Sequence, residues 1–494
     1  MTKHLDIDTK AMRAKILDLA IQGKLTDQRQ EDGNARDLVK AIQAEKEKLI
    51  KEKKIKKEKP LPEITEEEKP FDIPENWEWV RLGDICQINP RNHVQDENVN
   101  VSFLPMALIG EGYRSNYCPE IRKWKDVKKG FTHFANNDVV LAKISPCFQN
   151  LKSAVMNNLI NGIGAGTTEL HVLRRYSHTL NPEYLLCFVQ NQNLIKDGIK
   201  TFKGVVGQQR ISKDFIKEYL CPLPPLAEQQ RIADKVSALF AQLDAIDKAY
   251  EEYRELQQAM KAKLLELAMQ GKLTDQRKED GDAQDLFNDI QKEKQRLIAE
   301  KKIKKEKPLP EIEADEIPFE IPENWMWVRL GEIVSVFGGK RIPKGTKLQD
   351  TPTKYRYIRV ADMEYNTVNI PSVKYISEEI YKKIKRYTIS DQDVYITVAG
   401  TIGKVGTIPH ELNNANLTEN ANKLVPYNLN KEFLCNILKS PFGKAQIEKN
   451  ITRVSQPKLA IKRIERFVIP LPPLAEQKRI VSKLDKLLSL EIEL

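Results

Sequence analysis

Four stretches of this chain occur twice at one fixed spacing. MRAKILDLAIQGKLTDQR from Met12 returns as MKAKLLELAMQGKLTDQR from Met260, and EKKIKKEKPLPEI from Glu52 returns unchanged from Glu300. IPENWEWVRLGDI from Ile73 returns as IPENWMWVRLGEI from Ile321, and PLPPLAEQQRI from Pro222 returns as PLPPLAEQKRI from Pro470. Each pair is 248 residues apart (260 minus 12, and likewise for the others), so the chain is two copies of one unit. A period that long marks a duplicated domain and not a solenoid. The ends add a second constraint. Leu494 corresponds to Ile246 and Met1 to Ala249, so the second copy of one long helix is divided, with 474–494 as its first half and 1–22 as its second. The two termini are expected to meet and imitate the unbroken helix. The long helices are then antiparallel about a pseudo-two-fold axis, a circular repeat opened inside one helix.

The unbroken copy lies within 223–271. Pro224 and Pro225 precede it, Gly271 follows it, and roughly 45 residues between hold no Pro or Gly, the usual start and stop of a helix. Apolar side chains at Ile232, Val236, Leu239, Leu243, Ile246, Tyr250 and Tyr253, then Met260, Leu264 and Leu267, alternate steps of four and three. That repeat places one narrow seam on the helix, to be buried against another helix. Ile480, Leu484 and Leu487 continue the seam in the C-terminal piece, and Leu5, Met12, Ile16 and Leu19 in the N-terminal one. At 1.5 Å per residue the rod is on the order of 65 Å long, the length of a spacer.

After each long helix comes QGKLTDQR, read as a turn at Gly23 or Gly271. A second helix follows from Asp37 (DLVKAIQAEKEKLIKEKKIKK) or Asp285 (DLFNDIQKEKQRLIAEKKIKK), with sparse apolar positions and Glu and Lys spaced for pairs along one face. It is either a solvated face or a contact for phosphates or a partner protein. KEKPLPEI then reads as an extended linker, since Pro60 and Pro62 forbid helix. Between linker and long helix each copy holds a block, 84–221 and 332–469, that differs although its flanks do not. VSFLPMALIG, YRYIRVADM, DVVLAKISP and DVYITVAGTIGKVG read as short strands, and 182–192 and Lys431–Lys439 as helices, giving mixed α/β blocks. The alternating Trp77, Trp79, Trp325 and Trp327 read as strands entering the core.

The formal net charge of +10 suits a nucleic-acid partner without proving one. No apolar run approaches the ~18 residues of a membrane span, and the N-terminus has no signal-peptide core. Six scattered cysteines without a CxxC pair argue against a metal site or a disulfide framework and fit a reducing cytoplasm. Catalytic motifs are missing. INPRN at 88–92 lacks the second proline and the aromatic of an amine methyltransferase. GIGAGT at 162–167 reads as a turn or phosphate-facing loop, and AGTIGKVG at 399–406 has the wrong spacing for a nucleotide cradle.

The variable blocks instead offer groups suited to a DNA groove. In the first, Arg114, Arg122, Lys123, Lys125 and Lys143 accompany Gln149, Asn150 and the GQQR turn with Gln208, Gln209 and Arg210. In the second, the basic loop GGKRIPKGTK supplies Lys340, Arg341, Lys344 and Lys347, accompanied by Arg359, Lys404, Arg453, Gln456 and Lys458. Arg reads guanine and Gln or Asn reads adenine in a major groove, while Lys mainly binds phosphate. A self-sufficient enzyme with a divergent centre, and a coiled-coil scaffold that binds protein, are the competing classes.

The repeated IPENWxWVRLGxI, PLPPLAEQxRI and AKxLxLAxQGKLT motifs closely resemble the specificity subunit of type I restriction–modification systems over nearly the whole chain. The resemblance implies an α+β fold in which two target recognition domains are joined by two long antiparallel coiled-coil helical regions. It divides the chain into a helical region at 1–72, recognition domains at 73–222 and 321–470, a central helical region at 223–320 and a terminal helix at 471–494. Each domain is expected to read one half of a split, asymmetric target in double-stranded DNA, with the helices setting the gap. It further implies no chemistry of the chain's own and no cofactor bound to it. Two methyltransferase subunits would carry S-adenosylmethionine and methylate adenine, and restriction subunits would use ATP and Mg to move and cut DNA. The basic helix and KPLPEI linker depart from the simpler family pattern.

Overall fold

The computed structural model describes residues 7–176, 178–205, 208–452 and 456–490. The chain forms two compact units, Lys3–Glu251 and Glu252–Leu494. The expected joint of the divided helix falls at 491–494 and 1–6, outside the described residues, as does Leu5.

In the first unit, helix α1 (Thr9–Ile21) is followed by α2 (Ala35–Lys51). Ten strands follow: β1 (Glu78–Arg81), β2 (Cys86–Ile88), β3 (Asn100–Leu104), β4 (Glu120–Lys123), β5 (Thr132–Ala135), β6 (Val139–Ala142), β7 (Ser153–Val155), β8 (Ile163–Gly166), β9 (Leu170–Arg175) and β10 (Leu220–Leu223). Helices α3 (Pro182–Val189) and α4 (Gln192–Lys200) lie between β9 and β10, and α5 (Leu226–Met269) follows β10. One four-stranded sheet has the order β2-β9-β6-β7, the other β4-β3-β8-β5, and β1 pairs with β10. Among the described residues of this unit, β3 and β8 are the one parallel pair.

The second unit repeats this plan with α6 (Ala283–Ala299), strands β11 (Met326–Arg329), β12 (Val334–Gly338), β13 (Arg356–Ile358), β14 (Lys374–Tyr375), β15 (Thr388–Ile389), β16 (Val394–Thr397), β17 (Val405–Thr407), β18 (Ala415–Leu417), β19 (Ala421–Pro426) and β20 (Val468–Leu471), and helices α7 (Lys431–Lys439), α8 (Pro441–Asn450) and α9 (Leu474–Leu490). Its sheets run β12-β19-β16-β17 and β14-β13-β18-β15, with β11 on β20, the same order strand for strand. Two blocks of divergent sequence therefore share one topology.

The repeated motifs meet at one buried carboxylate in each unit. Glu228, at the start of α5, is fully buried and accepts hydrogen bonds from Trp77 Nε1 (2.8 Å), Gln28 Nε2 (2.7 Å) and Thr26 Oγ1 (3.1 Å). Glu476 accepts the same three from Trp325 (2.8 Å), Gln276 (2.7 Å) and Thr274 (3.0 Å). Beside it Arg231 pairs with both oxygens of Asp32 at 2.6 Å, and Arg479 pairs with Asp280. Gln229 donates to Pro224 O and accepts from the Asn181 amide, which fixes the entry to α3. The IPENW, KLTDQ and LAEQ segments are thus parts of one hydrogen-bonded knot. The turn that delivers Thr26 depends on Gly23, whose φ is +68° and whose added Cβ would sit 2.4 Å from Pro74.

The linker is pinned in the same manner. Arg81, nearly buried in β1, donates to Pro62 O (2.8 Å), Glu63 O (3.2 Å) and Glu218 O (2.8 Å) and pairs with Glu68; Arg329 does the same with Pro310, Glu311, Arg466 and Glu316. KPLPEI is extended, as its prolines require. Trp77 is buried at the knot, and Trp79 lies in β1 against Phe71, so the tryptophans are structural.

Three sequence expectations need correction. The basic helices end at Lys51 and Ala299, short of the KIKK runs, because Lys53 and Lys301 take φ near +57° and turn the chain so that Ile55 and Ile303 pack on the core. GIGAGT is no loop: 163–166 forms β8 inside a sheet, where a Cβ on Gly164 would meet the Phe134 ring at 2.2 Å. The seam of α5 is buried only toward its ends. Ile232, Val236 and Leu243 are buried together with Phe240, but Ile246, Tyr253 and Met260 are exposed, and at the far end Leu265, Ala268 and Met269 are buried in place of Leu264 and Leu267. The same one-residue shift makes Leu17, Ala20 and Ile21 the core face of α1 while Met12 is exposed, because these residues pack under the Trp77 and Trp325 knots and not in a simple two-helix seam. Against α5, α1 runs antiparallel: Thr9 bonds Asp247 (2.7 Å), and Arg13 pairs with Asp247 (2.9 Å) and Asp244 (2.5 Å).

Replacing Glu228 by Ala orphans three donors, and thermal unfolding of the Glu228→Ala chain is expected to report a loss on the order of 3 kcal/mol. Burial pushes the Glu228 carboxyl above its ordinary value, against the hydrogen bonds from Trp77, Gln28 and Thr26. The folded state therefore keeps this proton to higher pH than the unfolded chain, and the group favours folding less as pH rises from 4.5 through its folded value. Melting curves across that range should show Glu228→Gln, which cannot titrate, gaining on the parent as pH rises.

Candidate nucleic-acid interface

In the first unit the β6–β7 connection, the β8–β9 turn and residues 203–205 and 208–210 converge. Arg210 bridges to Ile144 and to Lys203 across the backbone, and its guanidinium is held bidentately by Glu169 at 2.8 and 2.9 Å. Ser145 N donates to Gln209 O (2.8 Å), and Gln209 N to Ser145 Oγ (3.2 Å). The Lys143 amide donates to Glu169 O, and Lys143 O accepts from Ile211 N. Lys143, Gln208, Gln209 and Arg210 are thus brought together, with Gln208 exposed at the tip. Arg210 holds the Glu169 carboxyl below its ordinary value and is itself raised, so both stay charged.

The second unit builds the same corner from different residues. Lys458 bridges to Thr452 and to Ala399 of the β16–β17 connection, which places Gln456 and Lys458 where the first unit has Gln208 and Arg210. Arg453 lies outside the described residues. The GGKRIPKGTK loop leaves β12 and crosses the end of β18, where Lys340 N donates to Leu417 O (2.8 Å). Arg341 pairs there with Glu419 of the β18–β19 turn, which corresponds to the β8–β9 turn that holds Glu169, and its guanidinium is raised by that carboxylate. Lys344 and Lys347 are exposed, and neither forms an ion pair among the described residues.

Other candidates sit elsewhere. Gln149 and Asn150 line a cavity of about 470 Å³ with Lys10, Arg13 and Asp244 of the helices. Arg122, Lys123 and Lys125 lie on and just beyond the edge strand β4, where Arg122 stacks 3.8 Å over Phe103 and pairs with Glu120. Arg114 is engaged with Glu183 and Ala233 O at 3.4 Å. Arg359 forms an ion pair at 2.6 Å with Asp362, which is fully buried, and also donates to Ser372 O (2.7 Å). Lys404 donates to Met363 O (2.8 Å), as Lys152 before β7 does to Met106 O (3.4 Å). INPRN is structural: Asn89 Oδ1 accepts from Val172 N, and Asn92 joins Phe134 O to Arg174. Burial holds the neighbouring His171 ring down to about 4, so it is neutral at pH 7.

Residue reasoning missed Glu169 and Glu419, which orient the arginines, and the Glu228 and Glu476 knots. Identity of LAEQ in both copies was the available signal for the knots. For the two orienting glutamates no signal existed, because their partners come from unrelated loops.

The arrangement is a pair of equal frames, each presenting a polar, basic loop corner that differs from the other. The family model described as the type I restriction modification DNA specificity domain matches residues 74–253 and 322–494. The chain belongs to this family. Each match begins just before the first tryptophan of its unit and runs into a long helix, and both omit the basic helices α2 and α6. Among relatives, the chain is 36% identical to the type I restriction enzyme EcoAI specificity subunit of Escherichia coli, over 97% of this chain and 89% of that one. It is 33% identical to the EcoEI specificity subunit of the same organism, over 96% and 88%. A solved chain from a structure on complex assembly and conformational transition of the type I R-M system matches 85% of this chain and 92% of its own at 21% identity, with a TM-score of 0.61, a likeness of fold.

The interface residues separate by experiment into two kinds. Lys344→Ala and Lys347→Ala should weaken DNA binding alike on all sequences and each lower the salt-dependence slope by about 1, read from binding isotherms at several salt concentrations. Arg359→Ala takes the guanidinium away from the buried Asp362, leaving it only the Arg359 amide and the Ser372 hydroxyl, and should cost on the order of 3 kcal/mol in melting experiments before any binding effect is read.

Proposed function

We propose that this chain is the DNA-recognition subunit of a type I restriction–modification complex, in which each unit reads one half of a split, asymmetric target. The observation that carries the reading is the strand-for-strand identity of two units whose corners differ in side chains: around the equivalent Gln208 and Gln456 stand Gln209 and Arg210 in one, and Lys340, Arg341 and Lys458 in the other. One frame with two reading heads suits a target whose halves differ. The 44-residue helix α5 begins in one unit and ends in the other, which makes it the spacer that sets the gap between the half-sites.

The duplicated frame also supplies two like docking surfaces, which fits two methyltransferase subunits on one chain. Methyl transfer from S-adenosylmethionine, and ATP- and Mg-dependent restriction, belong in this proposal to partner subunits. The chain itself contributes position: the phosphate-binding lysines fix register, and Gln and Arg at the loop corners read base edges. Among the described residues no helix is long and apolar enough to cross a membrane, and no group of three or more His, Cys, Asp or Glu is placed to hold a metal ion.

A block exchange tests the reading. Replacing 84–221 with the corresponding block of a relative of different specificity should change one half of the methylated motif and leave the other half and the gap intact, read by sequencing modified adenines. An exchange that leaves both halves unaltered, in a complex that still methylates, contradicts the proposal.

A further inference from the structure

The two frames differ at one place that the DNA reading does not use. In the first unit a cavity of about 690 Å³ opens beside Phe71 and Trp79, whose rings lie 5.1 Å apart. Phe319 and Trp327 repeat that pair in the second unit at 5.1 Å, but there the Phe442 ring packs on both, at 5.5 and 5.9 Å. Phe442 is the second residue of α8, whose N-cap is Ser440; the equivalent second residue of α4, whose N-cap is Asn191, is Asn193. A polar side chain that lines the cavity thus stands in the first unit where a phenyl ring fills the space in the second.

Charge differs in the same direction. Asp197, sixth after the N-cap of α4, corresponds to Gln446 of α8, and Glu218, whose carbonyl binds Arg81, corresponds to Arg466, whose carbonyl binds Arg329. Both acids line the cavity. Asp197 accepts from Tyr219 Oη (3.0 Å) and Lys200 Nζ (2.8 Å), while Glu218 is exposed at the rim. Asn191, also in the lining, is 1% exposed, and its Oδ1 caps α4.

We propose that this cavity is a docking site for a segment of a partner protein, which inserts an aromatic side chain against Phe71 and Trp79 and sets a basic residue over Glu218 and Asp197. The second unit shows the chemistry that fits, since its own Phe442 occupies the corresponding position. Because only the first unit leaves the place open, two partners of the same kind would be held unequally by the two halves. The proposal is independent of the DNA reading.

The test uses the full chain labelled with 5-fluorotryptophan and two peptides, acetyl-Arg-Phe-Arg-amide and acetyl-Arg-Ala-Arg-amide. The phenylalanine peptide should shift the Trp79 resonance and leave Trp327 in place, and the alanine peptide should bind at least about tenfold more weakly. Asn193→Phe should close the cavity and abolish the Trp79 shift while the Trp77 resonance stays at its parent position. Glu218→Arg, an exposed change that leaves the frame intact, should weaken the phenylalanine peptide several-fold. Equal binding of the two peptides, a Trp79 shift that survives Asn193→Phe, or no shift with millimolar peptide overturns the proposal. Saturation by free phenethylamine without any response to peptide also overturns it, by making the cavity a small-molecule site.

Discussion

Taking a carboxylate out of water costs several kcal/mol unless donors replace the lost hydration. Glu228 and Glu476 are each supplied by a tryptophan, a threonine and a glutamine from stretches that are far apart in sequence. That requirement ties the start of a long helix to the strand that opens the variable block and to the turn after the preceding helix. Once these are tied, Arg81 and Arg329 fix the linker, and Gln229 and Gln477 fix the entry to the helix after β9 or β19. The variable block hangs between two fixed ends, β1 with β10 or β11 with β20, and its interior sequence is free to change.

This explains how one chain carries two dissimilar surfaces on one plan. The sheet order is the same in both units, and so is the backbone bridging that brings the segment after α4 or α8 beside the connection after β6 or β16. What differs is the side chains at that corner, and which arginine the turn glutamate orients: Arg210 by Glu169 and Arg341 by Glu419. An arginine held by a carboxylate presents its guanidinium in one orientation, which favours selective contact over general attraction.

Much of the frame was legible because duplication doubles the evidence for each motif. The helix between Pro225 and Gly271, the extended KPLPEI segment, the paired tryptophans and Lys431–Lys439 all follow from local rules of turn chemistry and periodicity. The burial pattern of α5 was not legible, because a repeat of three and four says that a stripe exists but not what covers it. Ala268 and Met269 are buried under a tryptophan that lies more than fifty residues on, at Trp325. The glycines of β8 were misread for a related reason: Gly164 is required by the Phe134 ring that packs over it, a tertiary fact. Among the site candidates, charge could be counted in sequence, but not whether a cation was exposed or already engaged, as Arg114, Arg359 and Lys404 are.

If this chain decides which DNA sequence its complex modifies, removing it must erase that sequence from the genome's methylation. The most direct measurement is a genome-wide map of modified adenines in cells that carry the chain with its modification partner, set against cells that lack only the chain. A split, asymmetric motif should be present and should vanish when the chain is absent. An unchanged map, in cells where the complex demonstrably assembles, would contradict it.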